Sequence, residues 1–231
     1  MDLYDAHFHP GNYADGKGIA GGLCCSASRD DWEKVIGISR KDKAIIPCVG
    51  IHPWHIGTIS DGVWTEMRQT VSRTGAFIGE IGLDRMRPDM EKQEKIFAEQ
   101  LLIAKETGRP AIIHCVREYG RLLEIIRNTN PGRFVIHSFN GSEDIMRQLA
   151  GLGGWFSFGP GLAAENAKKY RAAFQSVPAD RFMLESEGGI TRQTGLILAA
   201  EAAAKIRNMP VQDIISTANS NFLKFKTCII S

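Results

Sequence analysis

Short apolar runs alternate with longer amphipathic stretches along the whole chain, and that rhythm restricts the fold to repeated strand–helix units built on a parallel sheet. Strands are expected over residues 2–9, 19–27, 44–51, 76–83, 110–115, 133–138, 153–158 and 181–187, eight in all. Helical periodicity is clearest over 29–40, 61–73, 89–107, 117–129, 165–177 and 193–207, with a further helix over 210–226. Eight units in 231 residues fit a (β/α)8 TIM-type barrel, in which reactive groups gather at the C-terminal strand ends. A doubly wound open sheet is the alternative, but it normally carries its ligand at one switch point. No Pro/Gly/Ser-rich linker or repeat divides the chain, so residues 1–231 read as a single domain.

The polar residues favour the barrel. All six histidines, His7, His9, His52, His55, His114 and His137, fall at or just past a proposed strand end, as do Glu80, Glu185 and Glu187. His7 and His9 are two apart on one strand, so both side chains share a face and can chelate one ion. They can equally be hydrogen-bonded core residues. Glu80 is the stronger signal, because AFIGEIGL places a carboxylate inside an apolar strand, where it needs a cation or a dense hydrogen-bond network. The structural alternative is a buried salt bridge to Arg85 or Arg87. His114 and His137 repeat the same oddity on two later strands. His52 and His55 lie in a loop after the third strand, placed to meet a substrate phosphate or carbonyl oxygen or simply to face solvent.

Composition excludes little. The formal charge of +2, from 28 basic and 26 acidic residues, neither requires nor rules out nucleic acid. No apolar run reaches the 18 or so residues that would span a membrane, and the start MDLYDAHFH lacks a signal-peptide pattern, so a cytoplasmic protein with no membrane partner is expected. The five cysteines, Cys24, Cys25, Cys48, Cys115 and Cys228, have no metal-site spacing; four lie in strand-like segments and read as core residues. Alternation points Cys115 away from His114, which argues against a thiol nucleophile. Lys168, Lys169 and Arg171 form the nearest approach to a basic patch, and Trp54 and Trp155 are candidate stacking platforms.

Six ordered blocks, DAHFHP (5–10), GIHPWH (50–55), IGEIGLD (78–84), AIIHCVRE (111–118), VIHSFNGS (135–142) and FMLESEGG (182–189), together resemble the signature blocks of the TatD family of metal-dependent hydrolases. That family is a branch of the amidohydrolase-like barrels and includes deoxyribonucleases. The resemblance implies that His7 and His9 bind a first metal, that Glu80 bridges two ions and that His114 and His137 bind the second. It also implies a final acid at Glu187, as a metal ligand and, with Glu80, a catalytic carboxylate, where LESE departs from the family's LETD by a glutamate in place of aspartate. Glu185 shares its face and can support or replace it.

The implied chemistry is hydrolysis by water activated on two divalent cations per chain, zinc first for occupancy and magnesium or manganese for nuclease activity, with Glu187 as proton acceptor. Arg117 and Asn140, and more weakly Asp84, are candidates for orienting substrate beside His52 and His55. Three readings stay open: a phosphodiesterase acting on DNA, an ester or amide hydrolase on the same metals, and a metal-binding protein with little catalysis. A monomer is the default expectation.

Overall fold

In a computed structural model that describes residues 3–13, 19–57, 59–60, 62–187 and 191–227, the eight apolar runs become eight parallel strands arranged in strict chain order. They are β1 (Leu3–Phe8), β2 (Ile19–Cys25), β3 (Ile45–Val49), β4 (Phe77–Asp84), β5 (Ala111–Val116), β6 (Phe134–Ile136), β7 (Gly154–Phe158) and β8 (Phe182–Leu184). Between and after them lie α1 (Trp32–Lys41), α2 (Val63–Thr74), α3 (Met90–Thr107), α4 (Tyr119–Thr129), α5 (Glu143–Gly151), α6 (Lys168–Ser176), α7 (Arg192–Arg207) and α8 (Val211–Thr227). An open doubly wound sheet would reverse its strand order at a switch point; this one does not, and β8 returns to lie beside β1.

Alternation sorts the side chains into two layers. Outward residues such as Ile78, Ile113, Phe134 and Phe156 pack under the helices, while Ala6, Leu23, Cys48, Ile112, Val135 and Met183 fill the barrel interior. The floor is closed by α8, whose Phe222 and Phe225 join the inner layer; Phe222 stacks on Tyr4 at 4.7 Å. Burying each such ring contributes about 1.5–3 kcal/mol. Trp155 belongs to the same inner layer and is 5 % exposed, so the expectation that it offers a stacking platform is corrected: it faces the core.

Two strands break alternation where the site needs it. On β1, Ala6 faces the interior and Phe8 faces the helices, and the pairing with β2 slips between Asp5 and Phe8. An irregularity of this kind re-aims the residues beyond it. A second slip falls between Ile78 and Ile81 on β4, spanning Glu80, and the Gly79–Glu80 peptide bond is cis. Gly82, at φ +147°, pairs with His114, whose carbonyl oxygen would lie 1.9 Å from any Cβ there; only glycine lets β4 approach β5 so closely.

The helix α5 was not expected. Its signals are present: Ser142 at the N-cap accepts from the Ile145 N–H, and Glu143 and Asp144 follow in the first turn. It is as short as α6, nine residues, and is closed in by Asn140–Gly141 and by Gly151, Gly153 and Gly154, which are loop signals. The strands β6 and β8 are also shorter than expected, which leaves His137, Glu185 and Glu187 just beyond the strand ends.

Candidate metal centre

Glu80 is 2 % exposed, and its carboxylate sits among five imidazoles at the C-terminal mouth of the barrel. Its two oxygens divide them. Oε2 faces His7 Nε2 at 3.4 Å and His9 Nε2 at 3.3 Å. Oε1 faces His137 Nε2 at 2.9 Å, His114 Nδ1 at 3.1 Å and His52 Nε2 at 3.4 Å. Arg85 and Arg87 do not approach: Arg85 pairs with Glu118, and Arg87 lies over the Trp54 ring. The salt-bridge alternative for Glu80 is therefore absent.

Burial opposes ionisation of Glu80, but the surrounding histidines, His137 foremost, outweigh it and hold the carboxyl well below its usual range. Burial, reinforced by His137, pushes His7 well below the ordinary imidazole value. For His137 burial acts in the same sense, yet Glu80, Glu185 and Glu187 overcome it and raise the group well above that value. Several polar atoms here are buried without a hydrogen-bond partner: both ring nitrogens of His7, His114 Nε2 and His137 Nδ1. Orphaned imidazole nitrogens around a carboxylate are costly in a purely structural cluster and are what cation ligands look like before coordination. The donor set thus fits a divalent metal, with His7, Glu80 and His137 offering ligand atoms within 4.8 Å of one another, as do His52, Glu80 and His114.

Hydrogen bonds at the far ring nitrogens separate ligands from donors. His9 Nδ1 lies 2.9 Å from the Cys25 carbonyl and must donate to it, which leaves Nε2 as the coordinating atom once it gives up the proton that Glu80, against burial, stabilises there; a far nitrogen tied to a carbonyl is the arrangement of a metal-binding histidine. His52 is reversed. Its Nδ1 accepts from the Trp54 N–H at 3.2 Å, so the proton sits on Nε2 and faces the site as a donor. Burial also depresses its pKa, favouring this neutral form. Although His52 stands within coordinating distance, its tautomer suits an anionic oxygen better than a cation.

A second acidic group adjoins His137. Glu185 is fully buried, with Oε1 accepting from the Ser138 N–H at 2.9 Å and its hydroxyl at 2.7 Å, while Ser157 donates to Oε2. Glu187 adopts φ +45° and shares the single Ser138 hydroxyl proton with Glu185, placing Oε1 3.8 Å from His137 Nδ1; its side chain is 43 % exposed. Partial burial raises its pKa against the pull of His137, with Glu185 adding to the rise. Ser138 and Ser157 were not anticipated, since a serine near a strand end carries no signal of its own.

The remaining expected residues spread around the rim. His55 is exposed on the short turn Pro53–His55, away from the Glu80 cluster. Arg117 is exposed at φ +58° and points Nη1 toward Met86 Sδ at 3.6 Å. Asn140 exchanges hydrogen bonds with the Tyr119 hydroxyl at 3.1 Å each. Arg117, Asn140, Lys168 and Lys169 line a cleft of about 1020 Å³ beside the mouth. Asp84 accepts from Trp54 Nε1 at 2.6 Å and lies 3.7 Å from His114 Nε2. Cys115 packs in the outer layer, its thiol pushed up to about 12 by burial, which removes it as a nucleophile; Cys228 lies outside the described residues.

A sequentially ordered eight-stranded barrel carrying an imidazole–carboxylate cluster at its strand ends is the architecture of the metal-dependent barrel hydrolases. The chain belongs to the TatD related DNase family, whose model matches residues 5–226. It is 27 % identical over 164 residues to the metal-dependent hydrolase YjjV of Escherichia coli (strain K12), a match covering 68 % of this chain and 63 % of that relative. It is 28 % identical over 177 residues to a protein of Cronobacter sakazakii named 3'-5' ssDNA/RNA exonuclease TatD, covering 74 % of this chain and 67 % of that one. The fold is similar to the crystal structure of E. coli YjjV, with a TM-score of 0.83, 21 % identity and coverage of 96 % and 97 % of the two chains.

Proposed function

We propose that this protein is a metal-dependent phosphodiesterase that cleaves DNA, with two divalent cations per chain. The observation that carries the reading is the Glu80 carboxylate, whose two oxygens face separate groups of imidazoles. One cation would be held by His7, His9 and Glu80, the other by Glu80, His114 and His137. Zinc suits the imidazole-rich set, and magnesium or manganese would serve an oxygen-rich substrate. A bound divalent cation would acidify a water molecule and polarise a phosphoryl oxygen.

The chain's own residues supply the rest. Glu187, with its raised pKa and partial exposure, accepts the proton of the attacking water and returns it to the leaving oxygen. Ser138 and Glu185 hold it at the outer side of His137. His52 donates from Nε2 to a phosphoryl oxygen. Arg117 and Asn140 orient the strand in the adjoining cleft, with His55 further out. The unit is a single domain over 1–231, acting as a monomer in the cytoplasm. Four buried free thiols support a reducing compartment, and among the described residues no helix is long and apolar enough to cross a membrane.

The test is turnover of end-labelled single-stranded DNA by protein stripped of metal and reloaded with magnesium, manganese or zinc, beside Glu80→Ala. Metal-dependent release of mononucleotides, absent in the variant, is expected. Turnover of a carboxylic ester with no attack on DNA would transfer the site to ester or amide chemistry. Two bound ions with no turnover of either would leave a metal-binding protein.

A further inference from the structure

Trp54 is the most unusual residue on the rim. Of the four tryptophans, Trp32 and Trp155 are buried and Trp64 is half-buried, yet Trp54 is 54 % exposed beside the metal cluster. Exposure usually goes with mobility, but this ring is held from three directions. Its Nε1–H donates to buried Asp84 at 2.6 Å, the Arg87 guanidinium lies 4.1 Å from its centroid, and the His52 ring meets it edge-on at 5.3 Å. Its backbone N–H donates to His52 Nδ1 and so sets the proton on His52 Nε2.

An indole fixed by its edge and covered on one face by Arg87, yet still 54 % exposed, is a preorganised stacking surface on its other face, because the ordering entropy is lost before the ligand arrives. Its neighbours have matching chemistry. Arg87 is an exposed cation against it, and Met86, 64 % exposed and next to Arg87 in sequence, is reached by the exposed Arg117, whose Nη1 lies 3.6 Å from its Sδ. Aromatic surface flanked by arginines recognises the bases and phosphates of an unpaired strand; a base held inside a duplex has no free face to offer. We infer that Trp54 is the base platform of the active site, stacking the nucleobase next to the scissile phosphate while His52 donates to that phosphate. The inference rests on the phosphodiesterase reading.

The experiment compares two oligodeoxynucleotides, one with an ordinary thymidine end and one ending in an abasic residue, using metal-loaded wild type, Trp54→Ala and Trp54→Phe. Wild type is expected to cleave the thymidine end about tenfold faster, in line with the usual strength of base–aromatic stacking. Trp54→Ala should bring that ratio to about one. Trp54→Phe, which keeps a ring but loses the bond to Asp84, should retain most of it, so loss of the ratio in both variants would assign the effect to Asp84 and overturn the platform. Tryptophan fluorescence with a cleavage-resistant phosphorothioate strand gives a second readout: quenching by the thymidine end, lost in Trp54→Phe, supports stacking. Equal cleavage of both ends without such quenching removes the platform alone. Quenching without cleavage keeps the platform and removes the phosphodiesterase reading, and neither signal removes both.

Discussion

Two carboxylates, Asp5 on β1 and Glu80 on β4, are equally buried, at 0 % and 2 % exposure, and have opposite surroundings. Asp5 is wired to fixed donors. It accepts from Ser186 N–H at 3.0 Å, Ser186 Oγ at 2.7 Å and Arg192 Nε at 2.9 Å, bridging the seam between β1 and β8 where, among the described residues, no backbone ladder joins them. Burial raises its pKa even so, against the pull of Arg192. Glu80 has no arginine; its partners are imidazoles that are themselves short of partners. A buried acid neutralised by the chain's own cation is architecture, whereas one surrounded by titratable ligands is built to receive a cation from outside.

The largest expected effect follows from that contrast. Glu80→Ala should lose bound metal and bring turnover to background, while the metal-free variant melts close to the metal-free wild type. Metal content by atomic emission, together with thermal unfolding in chelator, reads both. A collapse of metal-free stability would place Glu80 with Asp5 as a structural acid.

Glu187 lies between the two cases, tied to Ser138 yet 43 % exposed. Glu187→Gln keeps the shape and removes the proton acceptor, so kcat on DNA should fall by about 10²–10⁴. Metal content should fall far less than in Glu80→Ala. An unchanged kcat would move the base to Glu185.

Asp5→Asn should behave in the converse way. It leaves the Arg192 guanidinium, itself 2 % exposed, without its counter-charge, and breaking one side of a buried pair costs about 3–5 kcal/mol. Chemical denaturation should show that loss equally with and without metal. A loss seen only in the loaded protein would mean that Asp5 acts through His7, whose N–H is 3.3 Å from its carboxylate.

What the sequence revealed follows the same division. Glu80 and the histidines were legible because unpaired polar groups inside apolar strands have few structural explanations. Arg192 was invisible: an arginine in the first turn of α7 reads as a solvated face until the fold turns it inward to Asp5 and over the Phe8 ring at 3.5 Å. The barrel could be read from the strand–helix rhythm, but α5 was hidden by the glycines that flank it. His52 and His55 looked alike as a loop pair; the Pro53 turn buries the first and exposes the second. Trp155 was misjudged because a tryptophan near a strand carries no mark of which barrel end or layer it enters.

The smallest effect is a pH slope in metal affinity. In the metal-free protein His137 is held well above the ordinary imidazole value of 6.5, so near neutral pH it carries a proton that a cation must displace. His7 and His52, held below that value, are already neutral and add no slope. Burial opposes the charge on His9, but its hydrogen bond to Glu80 and the charge of Glu80 raise it as well, so it too gives up a proton on coordination. Metal affinity should therefore rise with pH from neutrality upward, by about ten- to a hundredfold per unit for the one or two protons released, and flatten once both imidazoles are neutral. Calorimetry in buffers of different ionisation enthalpy counts those protons directly. Glu185→Gln removes one of the acids that stabilise charged His137, so the flattening should move to lower pH. Asp5→Asn should leave the slope where it is, because Asp5 spends its charge on Arg192; a shift there would mean that the two carboxylates share one electrostatic unit.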